Sequence, residues 1–268
     1  MNRNYPDAGN LLERVRNEKP IVHHITNWVT IYDCAQAVKT LEGSPVMAHA
    51  PEEVAEMTSL SSALVLNIGT LTKEIVASML LSAVSAQKKN IPVVLDVCGA
   101  GATKMRNEAC QEILQTGCVN VVKGNASEIA SIAGEKVITR GVDSGTISAD
   151  MTKIAQNLSD TLKITVAVTG KTDIVCGTNS SLYVKNGHPM MATVVGTGCM
   201  AASLIGTFCA VEPNFSQATA AALACFGIAG EIASLTARTP LSFKHALLDA
   251  LSDLTPDTIK IRTVIESF

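Results

Sequence analysis

Aromatic side chains are almost missing from this sequence. They make up 3% of 268 residues, with one tryptophan, three tyrosines and five phenylalanines. That scarcity removes the stacking platforms on which single-stranded nucleic acids are held, and it leaves core packing to Val, Ile, Leu, Ala and Met. Charge is sparse as well, at 17% of residues with a formal net charge of −3. Without a basic excess there is no electrostatic footprint for nucleic acid and no polybasic patch for an anionic membrane surface. The polar stretch Met1 to Lys19 has no apolar h-region, so no secretory leader is expected.

Metal-binding cysteine spacings are also lacking. The eight cysteines (Cys34, Cys98, Cys110, Cys118, Cys176, Cys199, Cys209 and Cys225) form no C-x2-C or C-x4-C pair, which excludes a zinc knuckle. Scattered in apolar runs, they read as small buried hydrophobes of a reducing compartment, the cytoplasm. Linkers, internal repeats and low-complexity tracts are missing too, so one domain over residues 1–268 is expected, with 47% hydrophobic residues to fill its core. Met190 to Val211 carries no charge and is long enough to span a bilayer. Its glycine pair, its threonines and its strand-like start point instead to the interior of a folded protein.

What is present alternates between two periods. Ala8–Arg16 has helical spacing and Ile21–Ile25 is strand-like, with Thr26-Asn27 as the cap of a helix reaching Leu41. A short extended piece follows Gly43, and Pro51 with Glu52 and Glu53 suits a helix start. Apolar strands over 63–70, 91–96, 118–123 and 162–169 are separated by helices from Thr72 to Lys88 or Lys89, over 104–115, and from Asn125 or Ser127 to Ala133. Asp173–Cys176 and Ser181–Val184 form a hairpin around Gly177-Thr178-Asn179. Helices are expected over 203–211, 217–238 and 242–254, with a last strand over 258–264. The alternation implies an α/β fold, a parallel sheet covered on both faces. His23 and His24 are adjacent on a strand and point to opposite sides, a poor arrangement for one metal.

Polar residues collect where the strands end, at Asn67, Asp96 and Lys123, the edge at which open α/β sheets bind ligands. The strongest stretch comes later. The β-branched lead-in Thr193-Val194-Val195 runs into Gly196 and Gly198, then into a long small-residue helix. Two glycines that tolerate positive φ, followed by the unpaired N–H groups and positive dipole end of a helix, make an anion site suited to a phosphate in transit. Cys199 sits at that helix mouth, where a reacting hydroxyl would lie. Asp96 precedes a phosphate-sized loop, Gly99-Ala100-Gly101-Ala102-Thr103, and is placed to help hold Mg2+. Lys104 stands where a dinucleotide fingerprint needs glycine, and no Gly-Lys-Ser/Thr ending follows. Glu128 offers a second acid beside Lys123 and Asn125, and Thr169-Gly170 offers a hydroxyl and bare backbone to nucleotide phosphates. Taken singly, each has a plainer explanation as a cap, a glycine turn or a dipole partner.

Taken in order, strand-Asp, strand-Lys-Gly-Asn-x-x-Glu, strand-Thr-Gly and Gly-Thr-Gly-Cys resemble the ribokinase-like superfamily of ATP-dependent alcohol kinases. The stretches 44–53, 67–71, 99–103, 124–129, 186–189 and 196–200 are similar, more narrowly, to the hydroxyethylthiazole kinase family. The resemblance implies a three-layer α/β/α fold with a mostly parallel sheet. It implies ATP- and Mg2+-dependent phosphorylation of the hydroxyl of 4-methyl-5-(2-hydroxyethyl)thiazole in thiamine salvage, by a homotrimer with active sites between subunits. It implies that Met47 and Gly196 contact the thiazole, with Asn27 and Gly69 lining the same pocket. Lys123, Thr169 and Gly198 match ATP-binding positions, Asp96 and Glu128 the acids around Mg2+, and Cys199 the catalytic position that is Asp in most of the superfamily. Two departures stand out: Val97-Cys98 where family members often have Pro-Val, and Lys123 where many have Arg. The residues by themselves also suit another small-alcohol or pyrimidine kinase, a lyase acting on a damaged nicotinamide cofactor, or a non-catalytic binder of this fold.

Overall fold

Short runs of β-branched and aliphatic residues with no polar interruption can only be satisfied by burial on both faces, and four of them build the centre of this molecule. The computed structural model describes residues 5–135, 149–178 and 180–268. In chain order the elements are α1 (Ala8–Glu18), β1 (Ile21–Ile25), α2 (Ile31–Thr40), β2 (Ser44–Val46), α3 (Val54–Leu60), β3 (Ala63–Asn67) and α4 (Lys73–Lys89). They continue with β4 (Val93–Asp96), α5 (Lys104–Gln115), β5 (Val121–Asn125), α6 (Ala126–Ile132), α7 (Ala149–Leu162), β6 (Thr165–Thr169), β7 (Asp173–Gly177) and β8 (Ser180–Val184). A short 3-10 helix over Pro189–Thr193 leads to α8 (Thr197–Cys209), α9 (Phe215–Ser234), α10 (Pro240–Asp253), α11 (Pro256–Arg262) and β9 (Ile265–Ser267).

The strands form one sheet in the order β2-β1-β3-β4-β5-β6-β7-β8-β9. From β2 to β6 every pair is parallel, and β7, β8 and β9 close that side with antiparallel pairs. Alternate residues of the parallel strands face opposite layers. Val65, Val94 and Val121 pack with α8 and α9, whereas Leu64, Leu66, Val93, Leu95 and Val122 join the core under α4 and α5. The result is three layers, with α8 and α9 almost wholly buried on one side. α9 is long and apolar enough to cross a membrane, yet 78% of its most apolar window is buried inside the protein. The uncharged Met190–Val211 run is divided between the 3-10 turn and the buried α8.

Several elements depart from expectation, each for a local reason. Asn27 does not open a helix: its Oδ1 accepts from the Thr30 amide at 3.2 Å and the Thr30 hydroxyl at 3.0 Å, and α2 starts only at Ile31. Pro51, Glu52 and Glu53 form a turn ahead of α3. Thr193-Val194-Val195 is no strand, because Pro189, capped by His188, begins a helical turn instead. Residues 258–264 are mostly helical: Thr255 caps Thr258 at 3.1 Å and Pro256 supplies a helix-compatible first position, overriding the β-propensity of Ile259 and Ile261. Helix α7 was not foreseen; its apolar side chains Met151, Ala155 and Leu158 belong to the core. The hairpin β7–β8 is present, with Asn179 outside the described residues.

Helix α8 approaches the sheet closely because Gly206 has no side chain: a Cβ there would lie 2.4 Å from Val65 Cγ2. In an exposed helix, Gly→Ala stabilises by up to about 1 kcal/mol. Here valine is stiff and the contact is fully buried, so Gly206→Ala is expected to cost about 1–3 kcal/mol and lower the Tm. A rise in Tm would show that the interlayer contact yields freely.

Candidate active site

In a parallel sheet, residues in register point the same way, and register brings Asn67 beside Asp96 and Asp96 beside Lys123. Each stands two residues beyond Val65, Val94 and Val121, so all three face the layer that contains α8, at the carboxyl edge of the sheet. Lys123 donates to Asp96 Oδ1 at 3.3 Å, and their side chains are 5% and 1% exposed. Asn67 Nδ2 donates to Asp96 Oδ2 at 2.7 Å. Burial pushes the Asp96 carboxyl up to about 7; the nearby Cys199 and Glu128 push the same way, and Lys123 opposes them. On Lys123 burial works against the charge, but Asp96, Glu128 and Cys199 outweigh it and its pKa is raised.

Above this row is the start of α8. Among the described residues seven α-helices have a side-chain N-cap (Asp7, Thr72, Thr103, Asn125, Asn214, Thr239 and Thr255), and α2, α3 and α8 do not. Helix α8 begins at Gly196 instead, in the left-handed region at φ 98°, where a Cβ would meet Thr30 Cγ2 at 2.7 Å. Gly198 does not share that conformation; it lies inside the first turn, and its bare Cα leaves space for Lys123 Nζ, 3.0 Å from where a Cβ would be.

Cys199, 8% exposed, accepts from Asn27 Nδ2 at 3.1 Å and from Asn67 Nδ2 at 3.3 Å. Its thiol pKa is lowered to about 5. The facing Cys98 thiol is the largest influence; burial resists, while Thr30, Lys123 and Asn27 assist. Cys98 is driven in the opposite direction, chiefly by that same contact with Cys199. The helix-mouth sulfur is thus set up as a thiolate, ionised above about pH 5 and protonated as pH falls through that value.

The remaining expected residues surround this centre. Gly69 is at the end of β3, and a Cβ there would meet both Asn27 and Asn67 at 2.9 Å. Met47 follows β2 on the same carboxyl edge and is half-buried. Glu128 accepts from the Gly99 amide at 2.7 Å through Oε1 and from the Asn125 amide at 2.8 Å through Oε2, so it fixes the glycine loop after β4 as well as capping α6. Thr169 ends β6, where its hydroxyl donates to Gly124 O at 3.3 Å. His23 and His24 are buried: His23 bonds Thr58 and Ala48, and burial lowers the His24 pKa to about 4. Among the described residues no group of three or more His, Cys, Asp or Glu side chains forms a metal cluster.

Sequence reasoning left out three contributors. Asn67 was visible only as a polar strand end; its partners depend on lateral register, which a single sequence does not print. Thr30 was hidden by the misplaced start of α2. Arg106 bridges two loops, donating to Ile68 O at 2.7 Å, Cys98 O at 2.8 Å and Gly69 O at 2.6 Å. A signal existed for it: a cation in the first turn of α5 opposes the helix dipole and needs acceptors elsewhere.

Comparison with known proteins places the chain in a family. The sequence model of the hydroxyethylthiazole kinase family matches residues 12–257. A hydroxyethylthiazole kinase of Methanosarcina mazei is 51% identical over 257 residues, 96% of this chain and 98% of the relative. One from Thermoanaerobacter pseudethanolicus is 46% identical, covering 93% of this chain and 96% of its own. The solved structure of a hydroxyethylthiazole kinase protein from Pyrococcus horikoshii OT3 superposes with a TM-score of 0.90 at 39% identity, over 97% of this chain and 98% of that one. A ribokinase-like superfamily protein from Enterococcus faecalis, 13% identical, shares the fold at a TM-score of 0.62 over 96% of this chain and 91% of its own. The architecture is therefore ribokinase-like, and the chain belongs to the hydroxyethylthiazole kinase family.

Proposed function

We propose that this protein, as one kinase domain over residues 1–268, transfers the γ-phosphoryl group of ATP to the hydroxyl of 4-methyl-5-(2-hydroxyethyl)thiazole. The observation that carries the proposal is the Asn67–Asp96–Lys123 row set beneath the uncapped mouth of α8, with Cys199 between them. Phosphoryl transfer asks a protein for positioning and charge neutralisation more than for covalent chemistry. The first-turn amides of α8 and its dipole stabilise the phosphoryl oxygens, and Lys123, held rigid by Asp96, places a fixed positive charge below them. Lys123, Gly198 and Thr169 take the phosphates of ATP; Met47, Gly69, Gly196 and Asn27 shape the thiazole pocket. The Cys199 thiolate orients or deprotonates the alcohol and contributes modestly, the anion hole supplying most of the rate.

The donor set suits Mg2+. Asp96 ends β4 and Glu128 holds the Gly99 amide of the loop that follows it at 2.7 Å, so two hard carboxylates flank a phosphate-sized loop, and Mg2+ takes one or two carboxylates when phosphates and water fill its other positions. Held near Asp96 and Glu128, the ion would neutralise phosphate charge. A homotrimer with shared active sites accounts for an apolar rim on the single chain: Trp28, Val29, Tyr32 and Val195 are 58–71% exposed, each close in sequence to Asn27 or Gly196. Eight free cysteines fit a reducing cytoplasm, where the enzyme would serve thiamine salvage.

Three measurements follow. In a coupled assay with Mg2+, the purified protein should release ADP only when hydroxyethylthiazole is present; turnover with other alcohols but none with this one would refute the substrate. Cys199→Ala should lose about 10²-fold in kcat while both substrates still bind, and Cys199→Asp should remain active. Total loss of turnover in a folded, ligand-binding Cys199→Ala, or inactivity of Cys199→Asp, would overturn the assigned role. Iodoacetamide should label Cys199 at a rate that stays flat as pH falls from about 8 to about 6 and drops below about 5. A tenfold slowing per unit over the upper range would show an ordinary thiol.

A further inference from the structure

Asn67 uses every hydrogen-bonding position that a carboxamide has. Its Oδ1 accepts from the Gly69 amide at 2.8 Å and from Asn27 Nδ2 at 3.0 Å. Its Nδ2 donates to Asp96 Oδ2 at 2.7 Å and to Cys199 Sγ at 3.3 Å. The backbone donor on one side and the carboxylate on the other leave a single orientation for the amide. It is 1% exposed, so none of these bonds competes with water.

We infer that Asn67 is a positioning residue for phosphoryl transfer, a single amide that fixes the Asp96 carboxylate and the Cys199 sulfur relative to each other and to the thiazole-side loop at Gly69. The inference rests on the proposed kinase activity and adds a residue to it. The four partners come from four separate elements: the end of β4, the first turn of α8, the loop after β1 and the loop after β3. Lys123 holds Asp96 from the other side, and Asn27 holds Cys199 through a second amide donor. Among the described residues Asn67 is the one whose side chain hydrogen-bonds to both, so it sets the separation of the two groups. Misplacing a reacting group by about 1 Å costs about 10²-fold in rate.

The test uses the whole chain of residues 1–268. Asn67→Leu keeps the volume without adding charge and removes the donor shared by Asp96 and Cys199; Asn67→Ser, smaller and neutral, serves if the leucine variant fails to fold. The expected result is a kcat lower by about 10²-fold with KM for ATP and for the thiazole alcohol within about threefold of wild type. Iodoacetamide labelling of Cys199 in the ligand-free protein should slow by about tenfold at neutral pH, because the sulfur loses a donor that favours its thiolate. A folded variant with kcat within about twofold of wild type, a loss expressed wholly in KM, or unchanged Cys199 labelling would overturn the inference. Should the wild-type protein fail to phosphorylate the alcohol, the kinase proposal falls, and the labelling rates still decide whether Asn67 governs Cys199.

Discussion

An ammonium group and a carboxylate face each other across adjacent strands with almost no access to water, and the rest of the site is arranged about that pair. Withdrawing two charges from solvent is costly, and their mutual attraction repays it only when the remaining hydrogen-bonding positions are filled. Asn67 fills one on Asp96, and the bare Cα of Gly198 lets the ammonium rise to the first turn of α8. Removing one partner from such a pair costs about 3–5 kcal/mol, because the other charge is stranded. In the proposed reaction the pair would have a second use, since a charge that cannot move and cannot hydrate needs no reorganisation when phosphate charge develops above it.

A thiol at the helix mouth fits the same electrostatics. Sulfur takes the position with two amide donors and the Cys98 thiol around it, and its pKa falls to about 5 although burial pulls the other way. Cys98 faces Cys199 and is the largest influence on its thiol.

The centre of the fold was legible because its strands are short, wholly apolar and bounded by polar ends, a pattern that burial on both faces imposes. Asp96, Lys123 and Cys199 were legible for the same reason: each interrupts an apolar context at a strand end or a helix mouth. What was hidden depended on the third dimension. The lateral register that sets Asn67 beside Asp96 leaves no trace along the chain, and Asn27 was assigned to a helix cap because its tertiary partners could not be seen. Thr193 to Val195 and residues 258–264 were misassigned because proline and threonine caps decided the local conformation over β-propensity. Gly198 was expected to tolerate the positive φ of Gly196, whereas it lies in the first turn of α8 and its bare Cα serves as a gap for Lys123.

One measurement bears most directly on the whole account: a crystal structure of the protein with Mg2+ and a non-hydrolysable ATP analogue. The account predicts the terminal phosphate within hydrogen-bonding distance of the first-turn amides of α8, with Lys123 Nζ on its other side and Cys199 next to the thiazole pocket. A nucleotide whose phosphates lie away from α8, with Lys123 and Asp96 still sealed beneath an empty helix mouth, would contradict it.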